Sequence, residues 1–249
     1  MSVDYSIIIP AFNEEELLGE TISRLREAMA SVSLVGEIVV ADNNSTDRTA
    51  EIAKDAGATV VFEPINQISR ARNAGARVAS GRYFVFVDAD TFVSPALLQT
   101  ALGNLESGKC CGGGANLAVD EGIPFIAKGV IGYWNLVSRI FRFAAGCFVY
   151  ARRDDYEACG GFSEKFYATE EIWFSIGIRR VARKHKRKFC IISNPKVFTS
   201  DRKLVWFSYG YQSVLLLLVA LFPYITRFKW VCGYWYKRPD QSPKKDEQG

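Results

Sequence analysis

The chain has 249 residues, 49% of them hydrophobic and 23% charged, with 31 basic against 27 acidic side chains and a formal net charge of +4. These values belong to a globular protein and exclude a disordered chain, a collagen-like fibre and a multi-span membrane protein. A total of +4 also gives no reason to expect nucleic acid as a partner, because that needs a clustered basic surface. One large α/β domain, or one with an appendage, fits a length at which a single core is still growing. The six cysteines, at 110, 111, 147, 159, 190 and 232, show no C-x-x-C pair and no zinc-like spacing, so they read as buried or incidental thiols of a reducing compartment. The first ten residues lack the basic and apolar regions of a secretory signal, so a cytoplasmic chain is expected.

Residues 5–10 read as a buried strand. Residues 15–29 follow as a helix, with Leu18, Ile22, Leu25 and Met29 in one stripe, and 37–41 as a second strand. The polar cluster Asp42-Asn43-Asn44-Ser45-Thr46-Asp47 supplies turn and cap chemistry for a helix that runs to about Ala56 and stops at Gly57. Residues 59–62 form a third strand, 69–79 a small-residue helix ended by Ser80-Gly81, and 83–87 a fourth strand. Ser94-Pro95 opens the next helix, whose buried face is Leu97, Leu98, Ala101, Leu102 and Leu105. This alternation predicts a parallel sheet with helices on both faces.

From 110 to 145 the pattern does not decide between helix and strand. Gly112-Gly113-Gly114 is followed by no Lys-Ser or Lys-Thr and so is not a phosphate-binding P-loop. Residues 146–150 read as a strand, 154–159 as a short helix stopped by Gly160-Gly161, and 172–184 as a helix. The 23 residues 204–226 carry no charge, which is long enough to span a bilayer. Ser208, Gly210, Gln212, Ser213 and Pro223 interrupt that run, leaving only 214–222 continuously apolar. The expected organisation is a catalytic domain over 1–203, an apolar and aromatic membrane-associating segment over 204–238, and a solvated tail over 239–249.

In an open α/β sheet, ligands bind beyond the carboxyl ends of the strands. Here those ends carry Asn13 and Glu14, then Asp42, then Asp88 and Asp90. In Asp88-Ala89-Asp90 the spacing of two points both carboxylates the same way if the backbone is extended. Such a pair suits Mg²⁺ or Mn²⁺ whose other positions take diphosphate oxygens, although two acids at a strand end also read as a capped turn. The first strand meets no glycine before Gly19, which disfavours a dinucleotide-binding Rossmann unit.

Four segments together carry a specific resemblance: Ser6-Ile7-Ile8-Ile9-Pro10-Ala11-Phe12-Asn13-Glu14, Ile38-Val39-Val40-Ala41-Asp42-Asn43-Asn44-Ser45-Thr46-Asp47, Ala71-Arg72-Asn73-Ala74-Gly75, and Phe86-Val87-Asp88-Ala89-Asp90. In this order they resemble a family 2 glycosyltransferase of the GT-A fold. The resemblance implies inverting, metal-assisted transfer of a sugar from a nucleotide-diphosphate donor to an acceptor. It implies that Pro10, Phe12 and Glu14 line the base and ribose, that Asp42 bonds the base, and that Arg72 lies near the base or diphosphate. Asp88 then serves the ribose side and, with Asp90, the metal, while Gly75 permits close helix packing. The family's general base is an acid in a Glu-Asp pair after a Gly-Gly-Phe segment. Here Gly160-Gly161-Phe162 precedes Glu170-Glu171, so Glu171 takes that position with glutamate in place of the commoner aspartate. The other reading of Glu170 and Glu171 is a first-turn pair favoured by the helix dipole. Many members supply a late histidine to the metal, but His185 sits among Arg183, Lys184, Lys186 and Arg187 and reads as a surface residue, with 199–202 as a loop closing over the diphosphate.

Charge divides unevenly along the chain. Residues 1–178 hold 15 basic and 23 acidic side chains, a balance of −8, and residues 179–249 hold 16 and 4, a balance of +12. A basic stretch beside an uncharged, aromatic-rich segment predicts contact with an anionic leaflet. The expectation is a peripheral or monotopic protein on the cytoplasmic face of the membrane, a single span being an alternative, with a lipid-linked or cell-envelope glycan acceptor. Two further readings stand beside it: a haloacid-dehalogenase-like phosphatase using Asp88 and Asp90, and a non-catalytic membrane-peripheral protein with a degenerate transferase core.

Overall fold

The computed structural model describes residues 2–118, 125–199 and 223–236. Eight strands form one sheet in the order β3-β2-β1-β4-β7-β6-β8-β5. Its first half is built from β1 (Tyr5–Ala11), β2 (Gly36–Asp42), β3 (Thr59–Phe62) and β4 (Tyr83–Val87), all parallel. They are joined by α1 (Leu18–Ala30), α2 (Thr49–Asp55) and α3 (Ile68–Val78). The apolar runs that mark these strands lack polar alternation because both faces of the sheet are covered. One core cluster joins Ile7, Ile9, Val40 and Val85 to Leu18, Ile22 and Leu25 of α1. The other joins Ile8, Val39, Phe84 and Phe86 to Ala76, Tyr156, Phe162 and Phe174. Gly75 packs as expected: a β-carbon there would collide with the Ile8 side chain, so α3 lies directly on β1.

The second half is mixed. β5 (Thr91–Phe92) and α4 (Pro95–Glu106) lead into β6 (Cys110–Leu117), and α5 (Phe125–Phe141) leads into β7 (Phe148–Arg152). α6 (Arg153–Cys159), α7 (Glu170–Ala182), a 3-10 turn at Arg183–His185 and β8 (Lys188–Thr199) follow. β7 is antiparallel to β4 and β6, and β8 is parallel to β6. Ser94 caps α4 by accepting the Leu97 N–H at 3.2 Å, with Pro95 in the first turn, as the sequence predicts.

The three consecutive glycines lie inside β6, where a side chain on Gly113 would meet the Cys190 carbonyl and the Tyr150 ring. They let strands and an aromatic ring close on one another and have no phosphate-loop role. β8 was hidden from the sequence pattern by Lys188 and Lys196, which reach the surface at its ends, so strand pairing overrides a weak intrinsic preference. The expectation of six incidental thiols is corrected. The adjacency of β6 and β8 brings Cys110 and Cys190, 80 residues apart in sequence, together as a disulfide, a proximity that spacing does not reveal.

Residues 204–222 and 237–249, which carry much of the predicted membrane segment and the tail, lie outside the described residues, as do Ser200, Asp201 and Arg202. Among the described residues no helix is long and apolar enough to cross a membrane. The part of the segment that is described, a 3-10 turn at Pro223–Arg227 and a one-turn helix α8 (Gly233–Tyr236), folds back onto the body beside the start of α7.

Candidate active site

Because β1, β2 and β4 are parallel, their carboxyl ends emerge along one edge, with Ala11 opposite Asp42. The loops beyond them are tied together. The Asn13 N–H donates to Ser45 Oγ at 3.0 Å, Asn13 Oδ1 accepts the Thr46 N–H at 2.8 Å, and the Glu14 N–H donates to Thr49 Oγ1 at 2.7 Å. Asn13 takes φ of 52°, the left-handed region that asparagine tolerates better than most residues. Pro10 and Phe12 remain half-buried at this edge, and Glu14 and Asp42 are buried there. Asp42 Oδ1 accepts the Ser45 N–H at 3.0 Å. The Asn43 amide donates to the carbonyls of Glu63 at 3.2 Å and Ile65 at 2.6 Å, and its oxygen accepts the Gln67 N–H at 2.8 Å. These bonds hold residues 63–67 beside the strand ends.

The centre of the site is Arg72. It projects from α3, is almost completely buried, and reaches three elements at once. Nη1 donates to Glu170 Oε1 at 2.6 Å, and Nη2 donates to Asp88 Oδ1 at 2.9 Å and to the Gly146 carbonyl at 2.7 Å. The planar fork of a guanidinium suits this task in a way that a lysine ammonium does not. Its guanidinium carbon also stands 5.1 Å from the centroid of the Phe162 ring, and its Nε is buried with no partner among the described residues. Asp88 after β4 and Glu170 at the start of α7, 82 positions apart in sequence, are thereby joined through one side chain.

Glu171 lies next to this cluster. A β-carbon added to Gly146 would stand 3.6 Å from the Glu171 carboxyl carbon, ordinary contact distance, which places the acid beside the carbonyl that Arg72 binds. Burial, then the neighbouring Glu170 charge, push the Glu171 carboxyl up to about 8 against the pull of Arg72. Burial also raises Glu170, and Arg72 opposes that rise. Burial would lower the Arg72 guanidinium, but the charges of Asp88 and Glu170 outweigh it and hold the proton more tightly. Among the described residues one cation thus faces three acids, an excess of negative charge that favours a proton on Glu171.

Backbone geometry aims these acids. Thr169, immediately before α7, has φ of 63°, which is uncommon for a β-branched residue and costs on the order of 1–3 kcal/mol. The surroundings fix it: Thr169 Oγ1 lies 3.2 Å from Thr226 Oγ1, and the Tyr167 N–H donates to the Thr226 carbonyl at 2.7 Å. The Tyr236 hydroxyl donates to the Tyr167 carbonyl at 2.8 Å and accepts the Ile68 N–H at 3.2 Å. On the other side, the Asn73 amide donates to the Phe162 carbonyl at 2.9 Å, and its oxygen accepts from the Phe162 N–H at 3.0 Å and the Tyr156 hydroxyl at 2.7 Å. Thr226, Tyr236 and Gly146 carried no sequence signal for this role, because each acts through backbone groups or through a fold-back that periodicity does not reveal.

The geometry assumed for Asp88-Ala89-Asp90 is corrected. The segment is a turn closed by the Thr91 N–H on the Asp88 carbonyl at 3.1 Å, so extended alternation does not orient its carboxylates. Asp88 faces Arg72 and is partly exposed, while Asp90 is buried with Thr199 Oγ1 at 3.4 Å from its Oδ1. Among the described residues no three acidic, histidine or cysteine side chains gather as metal ligands. The two aspartates still fit a hard cation shared with a substrate, since Mg²⁺ sites commonly use one or two carboxylates plus phosphate oxygens. His185 is exposed, as expected. The paired acids that a phosphatase would need, Asp154 and Asp155, both bind Arg187 at 2.8 Å beside the opposite end of β4, where Arg152 pairs with Tyr83.

The family model described as Glycosyl transferase family 2 matches residues 6–158, more than half of the chain. The chain is 37% identical over 100 residues to the uncharacterized glycosyltransferase EpsJ of Bacillus subtilis, covering 38% of this chain and 28% of that one. It is 34% identical over 108 residues to a dolichol-phosphate mannosyltransferase of Pyrococcus furiosus, covering 41% and 30%. The aligned region therefore spans less than a third of those relatives. Its fold resembles that of the mannosyltransferase PcManGT of Pyrobaculum calidifontis, solved with GDP-Man and Mn²⁺, with a TM-score of 0.62, 19% identity and coverage of 86% of this chain and 60% of that one.

Proposed function

As the chain belongs to glycosyl transferase family 2, we propose that it transfers a sugar, with inversion, from a nucleotide-diphosphate donor to an acceptor hydroxyl or phosphate. The observation that carries this reading is the Arg72 fork, which ties Asp88, on the donor side, to the start of α7, where Glu171 stands next to Glu170. The base and ribose lie over Pro10, Phe12 and Glu14, with Asp42 toward the base. Asp88 and Asp90 would hold Mg²⁺ or Mn²⁺ on the diphosphate side, and the ion, when bound, would neutralise the leaving group's charge. Arg72 fixes Asp88 and Glu170 relative to each other.

Glu171 takes the proton from the acceptor as that oxygen attacks the anomeric carbon from the face opposite the leaving diphosphate. A carboxyl poised near neutral pH suits a general base, because it can both accept and release the proton. The Mn²⁺ and GDP-Man of the Pyrobaculum structure and the dolichol-phosphate acceptor named for the Pyrococcus relative support a metal-dependent donor site and a lipid-linked acceptor. The basic residues 179–203 and the uncharged run after them support work at the cytoplasmic membrane face as a peripheral or monotopic protein. The test is transfer from a panel of nucleotide sugars with Mn²⁺ or Mg²⁺, reading the anomeric configuration of the product. A retained configuration, or no transfer and no donor binding with any member, overturns the reading.

A further inference from the structure

α5 turns an apolar face to solvent. Val130, Tyr133, Leu136, Ile140 and Phe141 are 43%, 70%, 46%, 63% and 55% exposed. At about 100° per residue, the first four fall within one arc of roughly 120°. The opposite side is pinned: Asn135 Oδ1 accepts the Leu117 N–H at 2.8 Å and its amide donates to the Leu117 carbonyl at 2.9 Å, while Ser138 donates to the Phe143 carbonyl at 2.6 Å. The helix is therefore held with its apolar arc outward.

Cations border this arc. Arg139, Arg142 and Lys188, with Ser193, line a cavity of about 320 Å³ at the carboxyl end of α5. Arg179 of α7 donates to the Phe141 carbonyl at 2.6 Å and adds a charge at the same end. Residues 125–153 and 172–199 contain no Asp or Glu, so nothing within these stretches neutralises the rim. An outward apolar arc bordered by positive charge that forms no ion pair among the described residues is complementary to a leaflet of anionic phospholipid, with hydrocarbon for the arc and phosphates for the arginines.

We propose that α5 is an interfacial helix that docks on an anionic phospholipid leaflet, with Arg139, Arg142 and Lys188 taking headgroup phosphates in the cavity. The proposal rests on the reading of the protein as membrane-associated, and places that contact on the folded body. β6 runs parallel to β8 and antiparallel to β7, which is itself antiparallel to β4, so Leu117 lies toward the same edge as Asp88. Asn135 thus ties α5 to that edge, while the headgroup cavity lies toward the opposite edge, where Lys188 of β8 pairs with Cys110, so the docking face lies along the side of the sheet.

The test is flotation of the full chain with phosphatidylglycerol or phosphatidylcholine vesicles. The wild type is expected to bind phosphatidylglycerol preferentially. Arg139→Gln with Arg142→Asn, the asparagine tolerating the left-handed φ of 55° at position 142, is expected to weaken that binding by about 30-fold at roughly fivefold per charge. Tyr133→Ser with Ile140→Ser is expected to weaken it about tenfold or more, with melting temperature and donor binding unchanged. If both variants bind as the wild type does, α5 is not the docking surface, although membrane association itself survives. If the wild type binds neither vesicle yet transfers sugar to a soluble acceptor, both the docking and the membrane reading fall and the transferase stands. A dimer that the serine variant dissociates, or a lowered melting temperature in that variant without altered vesicle binding, makes the face a subunit contact or one covered by the chain itself, and overturns the proposal.

Discussion

Arg72→Met removes the guanidinium that binds Asp88 and the buried Glu170, beside Glu171, while keeping much of the side chain's volume. Three hydrogen bonds disappear, two of them to carboxylates at 2.6 and 2.9 Å. Breaking a buried ion pair by deleting one partner costs about 3–5 kcal/mol, because the remaining charge is left without compensation. Methionine restores some packing against Phe162, so the lower end of that range, about 3 kcal/mol, is expected at pH 8. The pH dependence separates charge from packing. Glutamate's ordinary value is 4.5 and Glu171 already stands at about 8 in the fold, with Glu170 raised as well. Loss of Arg72 raises these acids further. An acid whose folded value exceeds its unfolded value destabilises the fold increasingly as pH rises between the two. The deficit of the variant should therefore be largest near pH 8 and shrink as pH falls toward 5, where protonated carboxyls no longer need the cation. Urea denaturation of both proteins at pH 5, 6.5 and 8 measures this, with the denaturant slope as a check on two-state behaviour. A deficit below about 1 kcal/mol at pH 8, or one that does not change with pH, would refute the electrostatic account.

Glu171→Gln should lower kcat by about 10²–10⁴-fold while donor affinity, read by calorimetry, stays within a few-fold, as expected for loss of a general base; transfer that persists at the wild-type rate moves the base elsewhere. In the wild type, the same assignment predicts activity that rises with pH through about 8, since only the ionised Glu171 accepts the proton; a flat profile from pH 6 to 9 speaks against it. Asp90→Asn should abolish the Mn²⁺-dependent thermal stabilisation by nucleoside diphosphate while leaving the metal-free melting temperature nearly unchanged. Gly75→Ala drives a methyl group into Ile8 and should destabilise the fold by about 1–3 kcal/mol, measured by thermal or urea unfolding.

The parallel half of the sheet could be read from sequence because its evidence is local. The uninterrupted apolar run around Ile7, Ile8 and Ile9, the stripe Leu18, Ile22 and Leu25, and the Ser94-Pro95 cap each fix an element without knowledge of its neighbours. The mixed half was less legible because its determinants are pairwise. β6 is a strand by virtue of lying between β7 and β8, and its glycines make sense only against Tyr150 and Cys190. The same contrast holds in the site. Motif order marked Arg72, Asp88 and the Glu170-Glu171 pair, but a side chain that binds both Asp88 and Glu170 cannot be read from their separation in the chain. The Gly146 carbonyl, the left-handed Thr169 and its partner Thr226 left no composition or period to detect. For Asp88-Ala89-Asp90 the spacing was read correctly and the backbone was not, because Thr91 closes a turn that residue identity does not announce.

The attachment of residues 223–236 to the start of α7 also sets a condition of sidedness. Thr199 ends a strand of the sheet, and Thr226 lies completely buried against Thr169 on the same body. A polypeptide that leaves a body and rejoins it has both ends on one side of any boundary the body does not itself straddle. Thr199 and Thr226 are therefore bound to the same side of any such boundary. Two fragments made by a single engineered break between those anchors would still be joined through Tyr236, Tyr167 and Ile68, so they should travel together until the fold is denatured.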